Sequence, residues 1–205
     1  LVTNDTDITR EQWLRDVLVW TSQNVFGCGD APSQPDTVRA SVGWPSAGGL
    51  GKKKRVIGQC WAFECSEGKY SEIFISPYLS SAQEVVETLI HEVCHAAVGV
   101  EAKHKGAFVQ AAKAVGFTKP WTSTPATEEL RNKIGHFLEE IPKYPHAKLD
   151  AKLVGGPTKP QKNRHLKLVC PNCGYTIRST AQWIEIGMPT CHCGGLFKLK
   201  DKPSE

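Results

Sequence analysis

Apolar positions along the chain change their period several times, and each change marks a predicted element. Trp13, Leu14, Val17, Leu18 and Trp20 recur at helical spacing, and Asp7 or Thr9 can cap the helix they imply. Residues 38–44 read as a strand, stopped by Pro45 and the glycines of SAGGLG. Residues 56–63 and 73–76 are two more strands, rich in β-branched and aromatic side chains, with ECSEGKY turning between them. From Ser81 the period becomes helical, through Val85, Val86, Leu89, Ile90, Val93 and Ala97. Further helices are expected over about 105–115 and 127–140. Periodicity then fades through PKYPHAKLDAKLVGGPTKPQKNRH, a stretch rich in Pro, Gly and Lys. The pattern predicts an α+β front domain over 1–154, with an N-terminal helix, a small antiparallel sheet and further helices. A basic linker follows over 155–165, and a small cysteine-bearing ribbon with a tail over 166–205.

Composition sharpens this division. With 40% hydrophobic and 22% charged residues in 205, the chain suits folded domains and excludes a wholly disordered protein. No apolar run approaches the roughly 18–20 residues of a membrane span. The segment LVTNDTDITREQW has neither a basic nor an apolar leader region, so no signal peptide or membrane partner is expected, and an intracellular, cytoplasmic setting is. The net charge of +4 hides a split. Residues 142–205 hold 11 Lys and Arg against 4 Asp and Glu, while residues 1–141 hold 14 against 17.

The eight cysteines are also uneven. Cys170, Cys173, Cys191 and Cys193 form CxxC and CxC pairs, the pattern of two metal knuckles joined by a hairpin. Gly174 follows the first pair and Gly194–Gly195 the second, where tight turns need positive φ. Four thiolates would close the coordination shell of a structural zinc ion, in a reducing compartment. The short CxC half leaves His192 open as a substitute ligand. Cys28, Cys60, Cys65 and Cys94 are scattered and read as small buried or loop residues.

The chemistry is concentrated in His91-Glu92-Val93-Cys94-His95, an HExxH sequence on the central helical stretch. Residues four apart on a helix share a face, so two imidazoles can reach one zinc ion, and Glu92 beside them can reach a water. A catalytic zinc takes three protein ligands and keeps one position open. His104 leads as the third, because Gly99 can end the helix and a short turn can bring His104 back. Glu101, Glu128 and Glu129 are the carboxylate alternatives, and His136 and His146 the weaker imidazoles. The HExxHxxGxxH pattern is excluded, since position 101 is Glu and the only Met, Met188, lies in the ribbon.

HEVCHA, the HKGAF around His104 and the AVGF that follows resemble the SprT-like metalloprotease family. IGQCW, EIFISPYL and the trailing Cys-x-x-Cys ribbon support the resemblance, which covers most of residues 10–200 and is strongest over 56–117. It implies a zincin-like fold, a catalytic zinc on His91, His95 and His104, and Glu92 as catalytic acid and base. It also implies a protein substrate trapped on DNA. The direct path from His95 to His104 departs from the family, whose other members carry a longer insert there. Tyr78 and Tyr144 are candidates for stabilising the oxyanion.

Lys167, Arg178, Lys198 and Lys200 could meet DNA phosphates, and Trp183 could stack on bases. Lys202, Tyr175 and the linker cations Lys159, Lys162 and Arg164 could add to this, and the run Lys52–Arg55 is a second basic candidate. The opposing reading has Trp183 packing the ribbon core and the lysines only solubilising it. Three functions compete: a zinc endopeptidase acting on DNA-bound proteins, a peptidase whose ribbon recognises protein, and a non-catalytic nucleic-acid-binding module. An intact Glu92 weighs against the last, because a structural site needs no general base.

Overall fold

A computed structural model describes residues 8–50, 55–150 and 165–200. The chain forms two compact units, residues 1–151 and 152–205. Both mix helices with a small sheet, so the protein is α+β. The Lys52–Lys54 run, the cations Lys159, Lys162, Arg164 and Lys202, and the alternative cap Asp7 lie outside the described residues.

In the first unit α1 (Arg10–Asn24) starts at Thr9, whose hydroxyl accepts from the Gln12 N–H and satisfies one open helix donor. It buries Trp13, Leu14, Val17 and Leu18, while Trp20 stacks on Phe137 at 4.3 Å. Strands β1 (Val38–Val42), β2 (Gly58–Trp61) and β3 (Ser71–Ile75) form a sheet in the order β1-β3-β2. Here the expected antiparallel sheet is corrected: β1 runs parallel to β3, and only β2 with β3 is antiparallel. β1 and β2 thus lie at opposite edges of the sheet, with β3 between them. β2 is therefore an edge strand, and its run is short because the chain enters a 3₁₀ turn at Phe63–Cys65.

Helix α2 (Ala82–Val98) is the axis of this unit. Ser81 caps it by accepting from the Glu84 N–H, and Val85, Val86, Leu89, Ile90, Val93 and Cys94 are all buried. Burying each such aliphatic side chain contributes about 1.5–3 kcal/mol. β2 and β3 pack on one side of α2, and α3 (Ala107–Ala114) and α4 (Glu128–Glu140) on others. Thr127 caps α4 through the Leu130 N–H. A segment after α4 closes the unit: the Trp13 indole donates to the Pro142 carbonyl, and His146 Nε2 lies 2.8 Å from the Pro77 carbonyl.

In the second unit β4 (His165–Val169), β5 (Thr176–Thr180) and β6 (Lys198–Leu199) form an antiparallel sheet ordered β5-β4-β6. β4 takes His165, the last residue of the expected linker. A short helix α5 (Ala181–Ile186), absent from the sequence reading, follows β5 directly. Among the described residues its buried hydrophobic core is Leu168, Cys170, Cys191 and Phe197, with Ile177, Ile184 and Met188 packed against it. Among the described residues no helix is long and apolar enough to cross a membrane.

Candidate functional site

His91 and His95 project from one face of α2. Gly99 ends that helix at φ 90°, a conformation that penalises any side chain. The chain then makes a 3₁₀ turn at Val100–Ala102, with the Ala102 and Lys103 N–H groups bonded to the Gly99 and Val100 carbonyls. This reversal returns His104 to the helix face. Its Nε2 lies 3.1 Å from Nε2 of His91 and 3.3 Å from Nε2 of His95. A tetrahedral ion held at about 2.0–2.1 Å spaces its nitrogens by about 3.3 Å, so these three fit one divalent ion.

The charge states suit that role. Burial lowers the pKa of His91 to about 3, with His95 and His104 adding to the effect. Burial likewise lowers His95 to about 4, with help from His104, and lowers His104 itself. All three are neutral near pH 7, the form that binds a metal. Fully buried Phe108 underlies the cluster: His95 stacks on it at 4.3 Å, and His91 and His104 meet it edge-on at 5.0 Å each. His95 Nδ1 is buried without a hydrogen-bond partner, so packing on Phe108 is what holds that ring.

Glu92 points to the other side of the helix face, against β2, and is only 6% exposed. Burial pushes its carboxyl up to about 8, and the Cys60 backbone N–H, bonded to it, works the other way. Space for Glu92 exists because residue 58 is glycine. A Cβ there would come within 2.5 Å of Glu92 Oε1 and 2.7 Å of Thr88 Cγ2. Gly58→Ala is therefore expected to shift the carboxyl and lower any Glu92-dependent reaction by about 10²-fold, the scale of a misplacement near 1 Å. Zinc content should stay at the wild-type value, and kinetics beside metal analysis checks both.

These groups line one cleft of about 640 Å³, whose walls are residues 55–60 of β2 and its approach, the first half of α2, Lys103 and the loop 122–124. The other candidates lie elsewhere or do other work. Glu101 folds back over Gly99, Glu128 and Glu129 occupy the first turn of α4, and His136 is exposed beside Glu139. His146 is tied to Pro77 and Arg10. Neither Tyr78 nor Tyr144 lines the cleft. Tyr78 has the Arg55 guanidinium and the Lys148 ammonium over its ring, and Tyr144 is buried against Trp13. Thr124 and Gly58 were not singled out from sequence. An isolated glycine inside a strand signals close approach of another group, so Gly58 had a readable cue. Thr124 had none, being far from His91 in the chain.

In the second unit the four expected cysteines converge, with ligand atoms within 4.8 Å of one another. Cys170 Sγ is 3.5 Å from Cys193 Sγ, and Cys173 Sγ is 3.5 Å from Cys191 Sγ. Tetrahedral thiolates at about 2.3 Å from zinc stand about 3.7 Å apart, so the set fits one closed structural ion. All four are free thiols. Gly174 and Gly194 adopt φ +74° and +82° at the two knuckles. His192 Nδ1 lies 3.5 Å from Cys191 Sγ, outside the four-sulfur set.

The sheet register also sorts the cations. Lys167 pairs with Arg178 across β4 and β5, and the Lys200 N–H bonds the Lys167 carbonyl across β6. Lys198 pairs with Val169 two positions along, so all four exposed cations share one sheet face. Trp183, on α5, is 62% exposed and does not pack the ribbon core. Comparison with protein-family models, curated proteins and solved structures finds no match to this chain.

Proposed function

We propose that this protein is a zinc-dependent endopeptidase of SprT-like type that cleaves proteins held on DNA. The observation that carries the proposal is the pairing in one cleft of three converging neutral imidazoles with a buried carboxylate, Glu92. His91, His95 and His104 would hold a zinc ion, which would supply Lewis-acid chemistry toward a carbonyl and a bound water. The charge of such an ion would oppose the effect of burial on the Glu92 carboxyl, and in its ionised form that group takes the proton of the attacking water and delivers it to the leaving amine. The Cys60 N–H and the gap at Gly58 hold its carboxyl in place for both transfers. Among the described residues β2 pairs only with β3, so an extended polypeptide can add to its outer side as a further strand while crossing the cleft. Phosphate contact is assigned to Lys167, Arg178, Lys198 and Lys200, with base stacking on Trp183. The paired thiols favour a reducing, intracellular setting.

The exposed Trp183 and Ile186 favour a second reading, in which the ribbon recognises protein and DNA has no part. Cleavage of a DNA-binding protein, with and without single- and double-stranded DNA, separates the two. DNA stimulation is expected, and a rate indifferent to DNA would support the second reading. Affinity for duplex DNA should also fall about 100-fold from about 50 to about 200 mM salt, if each of the four cations meets one phosphate. A salt-independent affinity would remove the electrostatic role.

A further inference from the structure

We infer that Thr124 is a positioning residue for the histidine metal site, holding His91 in the one tautomer and ring orientation that leave Nε2 free for the ion. This rests on the metal-site reading above. Thr124 Oγ1 lies 2.7 Å from His91 Nδ1. With Nε2 kept as the ligand atom, Nδ1 carries the hydrogen and donates it to the threonine oxygen. Thr124 is 5% exposed, so the hydroxyl has no bulk water to turn to.

The backbone at this point supports a functional rather than an incidental contact. Thr124 has φ +33°, in the left-handed region that β-branched residues avoid. Such strain persists only where the surroundings impose it. Here the loop between α3 and α4 is closed by a bridge from Phe117 to Ala126 and by the Thr118 N–H and hydroxyl on the Pro125 carbonyl. Within it the Ser123 and Thr124 N–H groups both bond the Pro120 carbonyl. The loop thus delivers a hydroxyl to a ring nitrogen at the cost of an unfavourable φ. A glycine would relieve the backbone but could not supply the oxygen. His91 and His95 are held differently: His95 by its stack on Phe108, His91 by Phe108 and by this hydrogen bond.

The test is zinc affinity of the histidine site, measured by competition with a chromophoric chelator on full-length protein whose cysteine site is already loaded. Thr124→Val keeps the shape and removes the acceptor, and should weaken zinc binding about 10–100-fold, the usual effect of losing such a partner. Thr124→Ser keeps the hydroxyl and should restore affinity to within a few-fold of wild type. Thr124→Gly should weaken zinc binding like the valine variant while raising the thermal midpoint of the metal-free protein. That pairing keeps the test sound if the valine variant folds poorly. Equal affinity in wild type and the valine and glycine variants overturns the assignment, as does a serine variant as weak as the valine. A wild-type protein that binds no zinc at the histidines overturns instead the metal-site reading beneath it.

Discussion

Glu92→Gln is expected to retain zinc at the histidines and to lower peptide cleavage by at least about 10²-fold. Glutamine matches glutamate in shape, and its amide oxygen can still accept from the Cys60 N–H. What it lacks is the ability to take a proton from water and pass it on. The variant should not be less stable, because Glu92 is buried and burial already disfavours its charge. A neutral amide in that position carries no such penalty. Loss of cleavage together with wild-type zinc content and an unchanged or raised unfolding midpoint would therefore isolate the chemical role. Full activity in the variant would end the proposed mechanism, whatever the metal content.

The second large effect concerns the other unit. Cys191→Ser is expected to unfold residues 165–200 while leaving the first unit intact. Among its described residues the ribbon's hydrophobic core is Leu168, Phe197 and two of its own ligating cysteines. So small a core cannot offset the conformational entropy of some forty residues, and a structural zinc contributes an apparent binding free energy on the order of 10–16 kcal/mol. Losing one of four thiolates opens the closed shell, and with it the knuckles that seat β4 and β6. Limited proteolysis should cut the variant within the ribbon at protease levels that spare the wild type, with the 1–151 unit surviving as a stable fragment. DNA affinity should fall with it, since the cation row exists only as a sheet register. A ribbon equally resistant with and without Cys191 would show that metal does not hold it.

How much of this was legible in the sequence follows from the range of each interaction. The long apolar period of α2, its start near Ser81 and the paired histidines are local, and all are present as read. His104 was reachable too, because Gly99 is a short-range stop signal and the turn back spans few residues. The ribbon knuckles were legible for the same reason, through spacing and adjacent glycines. The parallel pairing of β1 with β3 was not, because strand order and direction depend on long-range packing that nothing local in either strand encodes. Helix α5 was missed because one and a half turns give too few positions to establish a period. Thr124 is the clearest case: its role depends on a hydrogen bond between residues 33 apart, on a backbone conformation that threonine disfavours. For Trp183 the sequence left a stacking role and a core role open, and the small ribbon decides against the core one, since it fills its interior with cysteines and leaves the large indole outside.

The central claim is that His91, His95, His104 and Glu92 form a metal-dependent peptidase site. Its most direct test is cleavage of a DNA-bound protein substrate by wild-type protein after chelation, followed by zinc added back in stoichiometric amounts, with bound metal counted at each step. The account predicts loss of cleavage as the histidine site empties and recovery as one zinc returns to it, with the cysteine site retained throughout. Undiminished cleavage by protein shown to lack metal at the histidines would contradict it.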